Sequence, residues 1–561
     1  MQIRQQIEDW AKETLQRDDG FALVHPKELK NGDFTLIING DKAKDDFAKL
    51  EQTLRLAQGD LQRQISKIEF VVPRFVNIYL SPIFFADSLS KINEKGEEFG
   101  KTDNLKNQKI IIEYTNTNVL KPMHIGHLMG NVIGQSLSNI FEGSGAEVKR
   151  NTYQGDVGLH IAKAVWGIMK LGLRKDGELS DNVDFVGRAY ATGAMAYEDD
   201  PTATEEIKEI NKKVFEKSDE SLNQIYAWAR EVSLTHFDTL YKILNTKFDY
   251  LFFESEVSGA AVKLVHEYLA KGVFEESEGA IIFRGEKYDS KLHTRVFLTQ
   301  QGLPLYEAKD LAHALRKESV YSADKSIIVT ANEQDSYFQV VLKALEQINK
   351  PVAEKTEHLS HGMLRLPSGK MSSRTGTVIT AEALILQVKE MIMGKIASRD
   401  IEEGEKEKIA EMVAIGAIKY SILRQAIGGD IVFDLEKSIS FEGDSGPYLQ
   451  YTAVRAKSVL EKAESNHVEP KLIQGEVSEV ERLLYRFPEI VEKAGQEYAP
   501  HFLVTYLIEL SASFNSYYAK NQIIDPTNRE VSDYRVALTR AVYTVLTNGL
   551  NLLGIKVPER M

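Results

Sequence analysis

Apolar positions along this chain follow three successive rhythms. Gln2 to Leu15 repeats its apolar residues at helical spacing, whereas Phe21 to Val24, Phe34 to Ile38 and Phe75 to Leu80 are short β-prone runs. Asn39-Gly40 supplies a turn after the second run. The stretch from Glu94 to Asn107 is polar and contains glycine, as linkers do. Together these features predict a small α/β unit over residues 1–105.

The second rhythm begins at Lys109-Ile110-Ile111-Ile112-Glu113-Tyr114, an apolar run suited to a strand buried on both faces. A turn at Lys121 to Gly126 leads into a helix-like segment. Strand-like and helix-like pieces then alternate to about residue 400 and include the apolar run Ser326 to Thr330. The alternation predicts an α/β, Rossmann-type parallel sheet with helices on both faces over residues 106–400. A polar, helix-rich stretch at about 180–290 reads as an insertion into it. From 401 to 561 strand signals nearly vanish. Glu407 to Ala426, Tyr448 to Ala463, Val477 to Tyr498, Phe502 to Lys520 and Arg535 to Leu553 all have helical spacing. Gly554 can close the last of these and Pro558 prevents its continuation. An all-α C-terminal domain is expected.

Composition narrows the classes. A chain of 561 residues, 43% hydrophobic and 27% charged, is globular and long enough for two to four domains. It has no cysteine, which excludes disulfides and cysteine-ligated zinc and fits a reducing cytoplasm. The polar N-terminus is not a signal peptide, and no run of about eighteen apolar residues predicts a membrane span. The net charge of −13 opposes a general nucleic-acid binder. Residues 401–561 hold 18 Lys and Arg against 24 Asp and Glu, so any track for nucleic acid there must be local.

The densest chemistry lies in Asn118-Val119-Leu120-Lys121-Pro122-Met123-His124-Ile125-Gly126-His127. It follows one predicted strand and opens a helix. A helix N-terminus at the carboxyl end of a parallel strand offers free N–H groups to phosphate. His124 and His127 share a face, and Gly126 between them lets a ligand approach the backbone. Two imidazoles can donate to phosphate oxygens as their charge grows. Two partly buried histidines at a helix cap are the plainer alternative. No further ligand nearby supports a metal site.

Glu113 to Asp156 resembles the nucleotide-binding signature of class I aminoacyl-tRNA synthetases, and the arginyl family in particular. The likeness covers the strand, Asn118, Lys121-Pro122, both histidines and Gly155-Asp156. Gly369-Lys370-Met371-Ser372-Ser373-Arg374-Thr375-Gly376 resembles the second, mobile ATP loop of the superfamily. The resemblance implies that Lys370, Met371, Ser372 and Ser373 bind ATP together with Pro122, Gly126 and the two histidines. Ser373 stands where many members have lysine. In the arginyl family a lysine before the first motif compensates, and Lys121 occupies that place.

A guanidinium substrate needs carboxylates, since a buried cation without a partner is prohibitively costly. Tyr306 and Asp310 are four residues apart and share a helical face. The resemblance makes them arginine ligands, with Glu113, Asn118 and Gln334 completing the pocket. It also assigns residues 1–105 to the tRNA elbow, through Asn77 and Tyr79, and the C-terminal domain to the anticodon, through Tyr448, Tyr451 and Tyr517. A buried strand face competes with the first of these roles. The implied reaction forms arginyl-adenylate from L-arginine and ATP, with Mg²⁺ carried by ATP and no dedicated protein metal site. The amino acid then passes to tRNA(Arg). A cytoplasmic monomer is expected. Three alternatives stand beside this reading: a class I synthetase of other specificity, a small-molecule nucleotidyltransferase, and an inactive tRNA-holding paralogue.

Overall fold

The computed structural model describes residues 3–39, 43–56, 60–173, 177–365, 380–468 and 477–561. Lys370, Met371, Ser372 and Ser373 lie outside these described residues.

The first unit is a four-stranded antiparallel sheet whose two central strands are Phe34–Ile38 and Phe75–Leu80. Helices Ile3–Leu15 and Ala43–Leu56 cover one face and bury Ile7, Trp10 and Leu50 against Leu36, Val76 and Ile78. The expected linker does not run free. Helix Pro82–Lys95 occupies its start, and Phe99 then stacks on Phe487 with centroids 6.1 Å apart. Asn548 Nδ2 donates to the carbonyls of Gly96 and Phe99, each at 2.9 Å. Two apolar anchors, Phe99 and Leu105, pin a segment whose composition is otherwise that of a loop.

The central sheet has five parallel strands: β1 (Lys109–Glu113), β2 (Glu147–Gln154), β3 (Tyr250–Phe253), β4 (Lys325–Ala331) and β5 (Thr356–His361). Their order is β5-β4-β1-β2-β3, so the strand order reverses at β1. The interior strands β1 and β4 carry the apolar runs, as burial on both faces requires, whereas interior β2 buries the polar Asn151, Thr152 and Gln154 near its carboxyl end. Helix α1 (Ile125–Gly143) follows β1 and is almost wholly buried. The stretch expected to be an insertion is divided. Helices Leu179–Asp199, Pro201–Glu216 and Glu220–Ile243 form their own core with Leu159–Leu171. The chain then returns to supply β3, followed by helix α2 (Glu254–Ala270) and a three-stranded antiparallel sheet ending at Leu298. Helices α3 (Tyr306–Val320) and α4 (Asp335–Ile348) flank β4.

The C-terminal region is helical from Glu403–Leu423 to Arg529–Leu552, apart from Ile431–Val432, which pairs with Leu364–Arg365. The segment Val477 to Tyr498 is two helices, Glu479–Leu484 and Phe487–Gln496, because Pro488 starts the second. One continuous core joins α1 to these helices: Leu128, Val132 and Ile133 belong with Val413, Leu503 and Leu546. Among the described residues no helix is long and apolar enough to cross a membrane.

Candidate active site

Beyond β1 the chain leaves regular structure at Thr115 and Asn116, both at positive φ. Asn118 forms a bridge to Gly155 beyond β2, which ties the loop across the two strand ends. Leu120, also at positive φ, is held by its N–H to Ser233 Oγ at 3.1 Å. This path delivers His124 to the N-cap of α1.

The two histidines cap the helix reciprocally. His124 Nδ1 accepts from the N–H groups of Gly126 and His127, at 3.1 and 3.3 Å, and His127 Nδ1 accepts from the N–H of His124 at 3.2 Å. The rings stack with centroids 3.6 Å apart. An Nδ1 that accepts carries no proton, so both rings are neutral with Nε2–H as their donor. Burial pushes His124 down to about 4, with Lys121 adding repulsion. Burial, His124 and Lys121 hold His127 well below the ordinary histidine range. A Cβ on Gly126 would sit 3.0 Å from the His124 ring, so a side chain there would press on the box. Lys121 Nζ lies 5.0 Å from the Tyr190 ring centroid, and Pro122 is exposed. Thr380 bridges to His124, and the N–H of Ala381 donates to Met123 O at 2.8 Å.

A second cluster lies along the same sheet edge. His160 Nε2 bonds Gly155 O at 3.0 Å. A Cβ on Gly155 would meet Asn118 Oδ1 at 2.7 Å and Glu254 Oε1 at 3.4 Å, so Asn118, His160 and Glu254 converge there. Buried Glu254, at the start of α2, pairs with buried Lys309 of α3. Lys309 Nζ stands 4.4 Å from the ring centroid of Tyr306, which is 51% exposed. One turn on, Asp310 Oδ2 accepts from Tyr337 Oη at 2.5 Å. Burial raises the Asp310 carboxyl to about 7; Tyr337 opposes this and the charges of Glu113 and Glu254 add to it. Asp310 is therefore a carboxyl held near neutrality, whose ionised form a nearby cation would favour.

Glu113 is placed differently from the other expected ligands. Its carboxylate accepts from Lys317 Nζ at 2.7 Å, His313 Nε2 at 2.8 Å, Asn116 Nδ2 at 3.1 Å and Asn151 Nδ2 at 3.2 Å. Burial penalises its charge, but Lys317 and His313 outweigh that and hold its pKa far below the carboxylate range. Four donors occupy it, so it shapes the wall and supplies negative potential behind Asp310. Gln334 is exposed in the turn between β4 and α4, at the carboxyl edge of the sheet.

The outlying candidates divide. Asn77 does not offer a free contact: it is buried and accepts from Thr35 Oγ1 at 2.8 Å, because the neighbouring strand covers it. Tyr79 is half-buried, donates to Glu69 Oε2 at 3.1 Å and has Lys67 over its ring. Tyr448 accepts from Asn515 Nδ2 at 3.0 Å, and Tyr517 packs into a small core with Val459 and Ile523. Arg399 and Arg455 stand 5.9 and 4.8 Å from the ring centroid of Tyr451. Arg455 also lies 5.4 Å from the centroid of Tyr518, which is 39% exposed. Sequence reasoning singled out none of Glu254, Lys309, Tyr337, Arg399 or Arg455. No local motif marks them, and their partners are distant in the chain.

Comparison with known proteins identifies the family of the chain. Residues 89–435 match the family model "tRNA synthetases class I (R), catalytic domain", and 449–561 match "DALR anticodon binding domain". The arginine–tRNA ligase of Borrelia turicatae is 32% identical over 85% of this chain and 84% of its own length. That of Streptococcus pyogenes is 30% identical over 98% and 97%. The Thermus thermophilus arginyl-tRNA synthetase structure covers all of both chains at a TM-score of 0.78 and 23% identity, which is a likeness of fold. The matched model spans more than half of the sequence, and the chain belongs to the class I arginyl-tRNA synthetase family.

Proposed function

We propose that this chain carries out the family's two-step reaction at the carboxyl edge of its parallel sheet. L-arginine and ATP give arginyl-adenylate and pyrophosphate, and a terminal ribose hydroxyl of tRNA then takes the arginine and releases AMP. The reading rests on one juxtaposition: a cap of two neutral histidines and a half-buried acid held near neutrality share that edge.

In the first step the arginine carboxylate attacks the α-phosphate and pyrophosphate leaves. His124 and His127 donate their Nε2–H groups to phosphate oxygens, where negative charge grows. The N-terminus of α1 adds its partial positive charge. Lys121 supplies a cation beside them, and Lys370 of the loop is assigned to the same phosphates by family likeness. Pro122, Gly126, Met371, Ser372 and Ser373 complete the nucleotide site on the same ground. Neutral rings can fill this role, since each keeps its Nε2–H as a donor while its Nδ1 accepts within the cap.

Arginine lies along Asn118, Glu254, Tyr306 and Asp310. Asp310 takes the guanidinium, and Tyr306 covers it with its ring and hydroxyl. Asn118 and Gln334 serve the α-amino and carboxylate end. Glu113 acts from behind, as a fixed charge. Mg²⁺ is assigned to the phosphates of the nucleotide, as is usual for this ion, and no step is drawn through it.

Residues 401–561 face the tRNA anticodon with the Tyr451–Arg455–Tyr518 group, and the N-terminal unit meets the elbow at Tyr79. A monomer is the proposed working unit. The test is pyrophosphate exchange across the amino acids, with and without tRNA. Arginine alone should support it. Exchange with another amino acid and none with arginine would overturn the pocket.

A further inference from the structure

Helix Glu403–Leu423 carries Lys419, which is fully buried. Its ammonium donates to Gln135 Oε1 at 2.6 Å, Leu244 O at 2.7 Å and Gly554 O at 2.7 Å. Three donors meet three acceptors, and none of the acceptors is an anion. The compensation comes from backbone dipoles. Leu244 caps the C-terminus of the 24-residue helix Glu220–Ile243, and Gly554 lies just past the 24-residue helix Arg529–Leu552. Each helix end carries about half a negative charge, and both are aimed at one ammonium. Burial, with Lys556 adding repulsion, still draws its pKa down to about 7.

The third acceptor gives the arrangement its reach. Gln135 lies on α1, about ten residues and so about 15 Å from the histidine cap. Its Nε2 donates to Asn245 O. Two neighbours on α1 also hold the last helix: Ser136 Oγ donates to Leu552 O at 3.3 Å and Asn139 Nδ2 to Asn551 O at 3.0 Å. The orphan carbonyls at the end of the last helix are thus capped by the helix that presents the catalytic histidines. On the other side, Gln450 Nε2 donates to Lys556 O at 2.7 Å. Gln450 shares helix Gly446–Ser465 with Tyr451 and Arg455. That helix crosses Glu403–Leu423 so closely that a Cβ on Gly446 would lie 2.4 Å from Gly416 O.

We infer that Lys419 is a positioning residue that couples RNA bound on the helical domain to the nucleotide-binding end of α1. It fixes the C-terminal turn, the end of the inserted helices and α1 to a single point. Displacement of Gly446–Ser465 by RNA therefore reaches the histidine cap through packed and hydrogen-bonded groups. The inference rests on the function proposed above.

Coupling between two sites is measured as a ratio of affinities and is reciprocal. The full chain would be titrated with a non-hydrolysable sulfamoyl analogue of arginyl-adenylate, with and without saturating tRNA(Arg). In the wild type, tRNA should change the analogue's affinity at least fivefold. In Lys419→Met the ratio should fall to within twofold of one, while affinity without tRNA stays within twofold of wild type. A purely structural role would lower both affinities together and leave the ratio intact. Gln135→Met removes a neutral acceptor and no charge; it repeats the test if Lys419→Met does not fold, and should at least halve the ratio. An unchanged ratio in the variant that folds, or a wild-type ratio of one, overturns the coupling. Failure of the wild type to bind the analogue at all would instead overturn the proposed function.

Discussion

His124 and His127 stack face to face at 3.6 Å, and each ring's Nδ1 accepts the backbone N–H of the other residue. The backbone therefore chooses the tautomer of both rings. Each has only its Nε2–H left to offer, and neither can act as a base through Nδ1 without breaking the cap.

This geometry predicts a kcat with no histidine ionisation near pH 6. At saturating substrates kcat should stay level between pH 6 and 8, since both rings are already neutral there. His127→Ala removes the donor and half of the cap. It should lower kcat by about 10²–10³-fold, as loss of a preorganised donor does. The arginine KM should move far less. Steady-state kinetics decide the matter, and a wild-type kcat would take His127 away from the phosphates.

Asp310 should make arginine affinity depend on pH. In the free protein its carboxyl titrates at about 7, because burial and the nearby charges of Glu113 and Glu254 outweigh Tyr337 and Lys309. Below that value a proton must leave before the guanidinium can pair. Affinity should thus weaken as pH falls, by up to about tenfold per unit below 7, and level off above 8. Asp310→Asn should abolish the slope and raise the arginine Kd at pH 8 by at least about 100-fold, the cost of a buried cation without its partner. Calorimetric titration with arginine from pH 5.5 to 8.5 checks both, and a slope that persists in the variant would place the titrating group elsewhere.

Two glycines predict opposite effects on stability. A Cβ on Gly134 of α1 would fall 2.2 Å from Cγ of Tyr114, whose ring is fully buried at the end of β1. Gly134→Ala should cost about 3 kcal/mol, the upper part of the usual overpacking range. Gly187, inside helix Leu179–Asp199, has open space where its Cβ would go. Gly187→Ala should stabilise by about 0.5–1 kcal/mol through chain entropy alone. Urea denaturation of the two variants provides the comparison.

The sequence pattern discloses what local chemistry specifies. Ile110 to Ile112 and Ile327 to Val329 are apolar on both faces, so the central strands declare themselves. His124 and His127 are legible because the cap that orients them is made within four residues. Tyr250–Phe253 is not legible as a sheet strand: it is four residues long, follows three polar helices, and gains its identity only from pairing with β2. Glu254 is hidden for the same reason, since its place depends on where β3 ends. Glu113 shows the limit of likeness. Its position in the motif says nothing of Lys317, 204 residues away, which occupies its carboxylate. The C-terminal boundary is read at residue 401 from the loss of strand signals, but the pattern does not disclose that α1 shares one core with the helices beyond it.

Arg455 is the most specific prediction outside the catalytic edge. Its guanidinium lies 4.8 Å from the ring centroid of Tyr451 and 5.4 Å from that of Tyr518, and it donates to Asn515 Oδ1. The domain around it is net acidic, so a cation beside two aromatic rings is a local feature of the kind RNA requires. Stacked rings accept a base, and a guanidinium beside them accepts a phosphate or adds its own stacking. Arg455→Ala should weaken tRNA binding about tenfold, in line with losing one such contact of about 1–3 kcal/mol, and should reduce the salt dependence by about one ion. ATP affinity should stay at the wild-type value. Arg455→Lys should not restore binding, because a lysine carries the charge without the planar face. Filter binding of tRNA to the wild type and both variants over a range of salt concentrations measures affinity and salt slope, and equilibrium dialysis measures ATP affinity. If Arg455→Ala binds tRNA as the wild type does, these rings serve only the packing of the helices.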